Sequence, residues 1–166
     1  MSDYNWSKFI LRVPVNADVQ KIYDAWAKPS QIEKWFLRKA EFRKPDNAAR
    51  GKEEDVKKDD AYTWMWYGYS DDVAEKGKVL EANGIDLFSF SFGTAGDVTV
   101  KIKAEEGETI VELLQENIPV DEKSKINYHI GCTKGWTFYL ANLKSILEGG
   151  MDLRNKNEKL KDVVSS

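Results

Sequence analysis

Cysteine and histidine are almost missing from this sequence, which has one of each among its 166 residues, Cys132 and His129. A single cysteine cannot form an internal disulfide, and one cysteine with one histidine cannot supply a thiolate and imidazole zinc cage. Histidine is the side chain whose ordinary pKa lies nearest neutrality, so acid-base catalysis has few candidates here. We therefore expect no metal and no disulfide.

The sequence also lacks the motifs typical of dinucleotide, nucleotide, zinc-protease and acyl-transfer sites, namely GxGxxG, GxxxxGK[ST], HExxH and GxSxG. Its 25 basic and 28 acidic residues are spread along the chain, and the net charge of −3 argues against a nucleic-acid partner. No apolar run reaches the roughly 20 residues of a membrane helix, and the N-terminus does not resemble a secretory signal. We predict a cytoplasmic binding protein without a cofactor or membrane contact, and we assign no catalytic residue.

A strand and two short helices are predicted at the start of the chain. The apolar and β-branched residues 9–15 indicate a strand that ends near Pro14. Asn16 is the expected N-cap of the first helix, whose apolar positions recur with helical spacing until Pro29. A shorter helix then begins at Pro29, because proline suits the first helical turn.

From residue 37 to about residue 118 the apolar residues alternate, which predicts five to seven antiparallel strands. The charged stretch 41–60 indicates a solvated loop or exposed edge strands. Residues 121–125 are expected to form a solvated connection before the final helix. We predict one domain over residues 1–150, with a sheet at its centre.

An apolar stripe between Trp136 and Leu147 predicts a long C-terminal helix, and Gly149 and Gly150 favour its end there. Gly131 and Gly135 are interpreted as sites of close packing between this helix and the sheet. The polar residues 151–166 are predicted to be a fraying C-terminal tail.

Three sequence blocks, in this order, resemble one known family: VPVNADVQKIYDAWAKPSQIEKWF, KGKVLEANGIDLFSFSF and GCTKGWTFYLANLKSILEGG. They are similar to the activator of heat-shock protein 90 ATPase homologue-like family of the START-like, or SRPBCC, superfamily. The resemblance implies an α+β helix-grip fold, in which a curved antiparallel sheet surrounds a long C-terminal helix and two short helices follow the first strand. It also implies a cavity between the sheet and that helix.

The candidate ligand-binding residues are mostly aromatic side chains that would point from the strands and the helix into this cavity. Core packing is the alternative interpretation of each. If the helix begins at about residue 129, His129 and Cys132 would share the cavity-facing stripe. The predicted ligand-binding set is Trp64, Trp66, Phe88, Phe90, Val100, His129, Cys132, Trp136 and Leu140.

The sequence leaves three functions open. The first is noncatalytic binding of a small hydrophobic molecule in the cavity. The second, which the resemblance implies, is a stress-related co-chaperone role with heat-shock protein 90 as the partner. The third is a cyclase- or hydrolase-type enzyme that uses His129.

In addition, Met65, Tyr67 and Tyr69 are predicted to make the outer sheet face partly apolar, which suits pairing with a second copy as a homodimer.

Overall fold

In the computed structural model, which describes residues 3–164, seven strands form one antiparallel sheet with the order β1-β7-β6-β5-β4-β3-β2. Strand β1 pairs with β7, whereas β2 lies at the opposite edge, so the chain crosses the whole sheet between β1 and β2. The strands are β1 (Phe9–Pro14), β2 (Lys39–Arg43), β3 (Ala61–Met65), β4 (Glu75–Ala82), β5 (Leu87–Ser91), β6 (Asp97–Glu105) and β7 (Glu108–Glu116).

Two short helices make this crossing, α1 (Val19–Ala27) and α2 (Pro29–Ile32). Their apolar face packs into the core, and Pro29 begins α2, where its missing N–H costs no hydrogen bond. The predicted N-cap is wrong by two residues, because Asp18 occupies that position. Asn16 still belongs to the turn that leaves the sheet, in which Ala17 N donates to the Val15 carbonyl.

The C-terminal helix is longer than predicted and consists of α3 (Glu122–Ser124), a π-helical segment (Lys125–Ile130) and α4 (Gly131–Leu147). Asp121 caps it, since its carboxylate accepts a 3.0 Å hydrogen bond from Ser124 N. The prediction that residues 121–125 form a connection before the helix is therefore wrong, because they begin the helix, although residues 121–123 are exposed to solvent as expected. The π-helical turn is shown by Gly131 N, which donates to the carbonyl of Ile126, five residues earlier.

Helix α4 packs against both the sheet and the crossing helices through Trp136. The centroid of its ring lies 5.9 Å from that of Trp26, 4.9 Å from that of Phe36 and 6.2 Å from that of Phe90. Leu140 and Leu143 continue this buried face along the helix.

The predicted helix-grip fold is confirmed, with a seven-stranded curved antiparallel sheet and a long C-terminal helix. No helix within residues 3–164 is long and apolar enough to cross a membrane.

The segment after α4 is fastened to the body of the protein by Arg154, whose residue surface is only 8% exposed. Its guanidinium donates to the carbonyls of Leu37 (2.9 Å) and Lys34 (2.8 Å), which lie between α2 and β2. It also makes a two-bond pair with Asp152. The expectation of fraying is wrong here, because one planar side chain with five donors satisfies several carbonyls at the end of α2.

Burial alone would raise the pKa of Asp152, but hydrogen bonds from Arg154 and Lys156 outweigh it and hold this pKa well below its ordinary range. A carboxyl whose pKa is lowered in the folded state stabilises that state at pH values above its unfolded pKa. This contribution is therefore complete at neutral pH and is lost as the pH falls through the acidic range.

We expect Arg154→Met to lower the free energy of unfolding by about 2–4 kcal/mol, because it removes the guanidinium donor from the Leu37 and Lys34 carbonyls and from the Asp152 carboxylate. Urea denaturation at pH 7 measures this loss. Lys161→Met, at an exposed position of the same segment, is the matched control and should change the free energy by less than about 0.5 kcal/mol. Equal urea midpoints for the two variants would contradict the assignment.

Candidate ligand-binding cleft

A cleft of about 350 Å³ opens beside the first half of α4. The opposite wall comes from the residues after α2 and from the connection between β3 and β4. This volume lies at the lower end of the range of small-molecule sites, about 300–1,000 Å³. The lining residues are Phe36, Trp66, Tyr69, Val73, Glu75, Phe92, Gly131, Cys132, Gly135, Trp136 and Tyr139.

Six of these residues are aromatic, and Phe36 lies at their centre. Its ring centroid is 5.6 Å from that of Trp66 and 4.9 Å from those of Trp136 and Tyr139. The rings of Trp66 and Tyr139 meet Phe36 edge to face, a favourable arrangement for aromatic pairs. The neighbouring Trp35 is anchored in the core by a 2.8 Å hydrogen bond to the Ala25 carbonyl. The aromatic walls are thus held in place by the fold itself.

Trp136 is also oriented by a buried polar group, Gln115 on β7. Its indole Nε1 donates to Gln115 Oε1 at 2.9 Å, and Gln115 Nε2 donates to the Ala95 carbonyl at 2.9 Å. Gln115 is fully buried, so both of its bonds replace water that it lost on folding. This bridge between sheet and helix fixes which way the indole faces at the edge of the cleft.

The two glycines of α4 leave space along the helix wall. A Cβ added at Gly135 would meet no atom within 4 Å, and one at Gly131 would meet only the Ile126 carbonyl oxygen, at 3.6 Å. The interpretation that these glycines permit close packing against the sheet is therefore wrong. They line the cleft, and their missing side chains are part of its volume.

Three of the residues predicted to bind ligand line this cleft: Trp66, Cys132 and Trp136. The others on strands and helix lie in the hydrophobic core outside its walls, because the sheet and α4 close over them. These core residues are Trp64, Phe88, Phe90, Val100 and Leu140.

His129 lies at a separate depression of about 460 Å³, which shares no lining residue with the cleft among those described. Its Nδ1 lies 2.9 Å from the Trp6 carbonyl oxygen, and its Nε2 lies 2.8 Å from the Tyr4 hydroxyl. A carbonyl only accepts, so Nδ1 donates and Nε2 accepts from the hydroxyl. With both nitrogens engaged and only 3% of the residue exposed, His129 anchors the N-terminal segment to the helix. The expected joint placement of His129 and Cys132 is not observed.

Three groups of the cleft have shifted acidity: Glu75, Cys132 and Tyr139, and burial raises the pKa of Tyr139 to about 12. Burial raises the pKa of the Glu75 carboxyl. The pKa of the Cys132 thiol is also raised, mainly by burial. The charge of Glu75 raises this pKa further, and a hydrogen bond with the Gln115 side chain lowers it only in part. Among residues 3–164 no cluster of three His, Cys, Asp or Glu side chains could hold a metal ion. The site therefore offers apolar contact, one carboxyl, one thiol and the side chains of two tyrosines, Tyr69 and Tyr139.

Sequence reasoning missed several lining residues for different reasons. Phe36, Phe92 and Tyr139 are apolar in pattern, but a pattern cannot separate a cleft wall from a filled core. Tyr69 is predicted on the outer sheet face, but β3 ends at Met65, and Tyr69 and Val73 lie in the connection between β3 and β4 and line the cleft. No sequence signal of this single chain distinguishes Glu75 from its other carboxylates. These residues can be assigned to the cleft only once the fold is known.

Solved structures with the same fold share little sequence with this chain. Protein SSP2350 from Staphylococcus saprophyticus is 19% identical with a TM-score of 0.69, and the match covers 89% of this chain and 96% of that one. The Aha1 dimer from Colwellia psychrerythraea is 16% identical with a TM-score of 0.65, and coverage is 86% and 97%. CalU16 from Micromonospora echinospora is 17% identical with a TM-score of 0.61, and coverage is 88% and 77%.

No curated protein matches the chain by sequence. The model of one protein family, described as activator of Hsp90 ATPase homolog 1-like protein, matches residues 16–148. This match includes α1, α4 and every strand from β2 to β7. The chain belongs to the activator of Hsp90 ATPase homolog 1-like family.

Proposed function

We propose that this protein binds a small hydrophobic molecule in the cleft beside α4, without catalysing a reaction on it. The observation that carries the proposal is an accessible space of about 350 Å³ with six aromatic residues in its walls. Tyr69 and Val73 are each 52% exposed, so apolar surface continues from the interior to the rim. An apolar ligand would remove this surface from water, which stabilises a complex by roughly 25 cal/mol per Å².

The arrangement of reactive groups supports binding over catalysis. An activated thiol needs a base within hydrogen-bond reach, and the pKa of Cys132 is raised rather than lowered. His129 lines a different depression, and both of its ring nitrogens already have partners. The alternative of a cyclase- or hydrolase-type enzyme that uses His129 therefore has no support from the geometry.

Filling the cleft from its helix wall should abolish binding without unfolding the protein. In Gly135→Leu the new side chain would enter open space, and the loss of a helical glycine favours the helix by up to about 1 kcal/mol. N-phenyl-1-naphthylamine is a neutral probe whose fluorescence rises in apolar surroundings. We expect saturable binding to the natural protein and at least a tenfold loss in Gly135→Leu, as an order-of-magnitude consequence of blocked access.

Ala141→Leu is the matched control, because it adds the same side chain to an exposed position of α4 outside the cleft. This variant should bind the probe like the natural protein. If Gly135→Leu binds the probe as well as the natural protein does, the probe lies elsewhere. If none of the three proteins binds the probe, the cleft is not a site for neutral hydrophobic molecules.

A co-chaperone role is the second candidate, and the family match over residues 16–148 favours it. In this case a surface of the domain would bind heat-shock protein 90 and change its ATP turnover. Titration of a bacterial heat-shock protein 90 with the purified chain, with ATP turnover as the readout, should show a saturable change. No binding and no change at tens of micromolar would exclude the role.

A homodimer also remains a proposal, supported by the dimeric Aha1 structure from Colwellia psychrerythraea. The predicted outer apolar face is smaller than expected, because Arg154 and Lys156 lie 5.2 Å and 5.3 Å from the Tyr67 ring centroid and cover it. A homodimer predicts a sedimentation coefficient that increases with concentration toward the value for two copies. A monomer value that does not change up to about 100 µM would contradict it, since specific interfaces usually bind more tightly.

A further inference from the structure

We infer that the molecule bound in the cleft carries a positively charged nitrogen, and that Glu75 together with the surrounding aromatic rings recognises it. The inference rests on the proposed function, since it names the class of molecule that the same cleft takes. The ligand is then a hydrophobic, ring-sized organic ammonium ion rather than a neutral or acidic compound.

Glu75 is a partly buried carboxylate without a partner. Within residues 3–164 the structure shows no hydrogen bond or ion pair to its side chain, and burial raises its pKa. Two other shielded acids have partners: Asp60 pairs with Arg50 at 2.8 Å and 3.0 Å, and Glu33 accepts from Ala40 N at 2.8 Å. A carboxylate removed from water is costly unless a cation or donor compensates it. Glu75 is thus a desolvated acid at the cleft that still requires a partner.

No protein group at the cleft is suited to supply that partner. Glu75 is the one charged side chain among the described residues that line the cleft. Lys76 follows it on β4, but successive strand residues point to opposite faces, and Lys76 is exposed. The nearby Tyr62 hydroxyl already donates to the carbonyl of Ser91. The position opposite the carboxylate is open to the cleft.

The backbone beside Glu75 leaves room for its carboxylate. Gly93 follows Phe92 and has a φ of 53°, which favours glycine. A Cβ at this position would lie 2.5 Å from Glu75 Oε1, closer than atoms can pack. A larger residue at Gly93 would displace the carboxylate, so this glycine is part of the arrangement that keeps the charge beside Phe92.

The aromatic walls favour a cation over a neutral donor. The faces of Trp, Tyr and Phe rings carry partial negative charge and attract an ammonium group, more strongly when the group is desolvated. Six aromatic residues and one carboxylate, with no basic lining residue in the part of the chain described, suit a cation better than an anion. A hydroxyl could bond to Glu75 but would gain nothing from the ring faces, and a carboxylate ligand would be repelled.

Three naphthalene compounds with matched rings test this inference on the full chain. We expect 1-naphthylmethylammonium to compete with N-phenyl-1-naphthylamine about tenfold better than 1-naphthylmethanol does, and 1-naphthoate to compete least. In Glu75→Gln the advantage of the ammonium compound over the alcohol should disappear, whereas the affinity of the alcohol should change less than about twofold. Glu81→Gln removes the same charge from an exposed position of β4 and should keep the natural order.

The outcomes separate this inference from the proposed function. Equal competition by the amine and the alcohol, or a retained preference in Glu75→Gln, overturns the ammonium assignment and leaves hydrophobic binding intact. If neither the probe nor any naphthalene compound binds, both proposals fail. A thermal melt of Glu75→Gln at or above the natural midpoint shows that the variant is folded, and this result is expected because the substitution removes a partly buried charge without a partner.

Discussion

The position of one indole, that of Trp136, determines both the stability of the fold and the shape of the cleft. It packs on Phe36 from the crossing segment and on Phe90 from the sheet, and its nitrogen donates to the buried Gln115. Large aromatic side chains contribute most to such a core, since each buries roughly 150–250 Å². The single hydrogen bond adds direction to this contact, because an indole turned otherwise would leave Gln115 unsatisfied.

With Trp136 fixed in this way, the space beside it cannot easily collapse. Phe36 is held from the other side by the core residue Trp35, and the carbonyls of the adjoining chain are bound by Arg154. Gly131 and Gly135 add no side chains that could fill the gap. The cleft therefore exists because its aromatic walls are held in place and no side chain from Gly131 or Gly135 fills the space between them. These apolar walls and the unpaired Glu75 carboxylate are the basis of the proposed binding of a small molecule.

Much of the fold could be predicted from the sequence because alternation and helical spacing report which side of an element faces the core. Strands such as β5 and β6 follow directly from the inward Phe88, Phe90, Val98 and Val100. The same patterns cannot tell whether the space next to an inward residue is filled. The sequence therefore predicts ligand contact for Trp64 and Trp66 alike. In the structure Trp64 lies in the core, whereas Trp66 follows the end of β3 and lines the cleft.

Features that depend on distant partners were not predictable. Arg154 is an ordinary basic residue in a polar stretch until the fold brings the carbonyls of Lys34 and Leu37 to it.

The crystal structure of the protein with bound N-phenyl-1-naphthylamine tests the central claim most directly. We predict electron density for the probe against Phe92, Cys132 and Trp136. Density only beside Trp6 and His129, or a probe that binds in solution while the cleft is closed by side chains, would contradict the account.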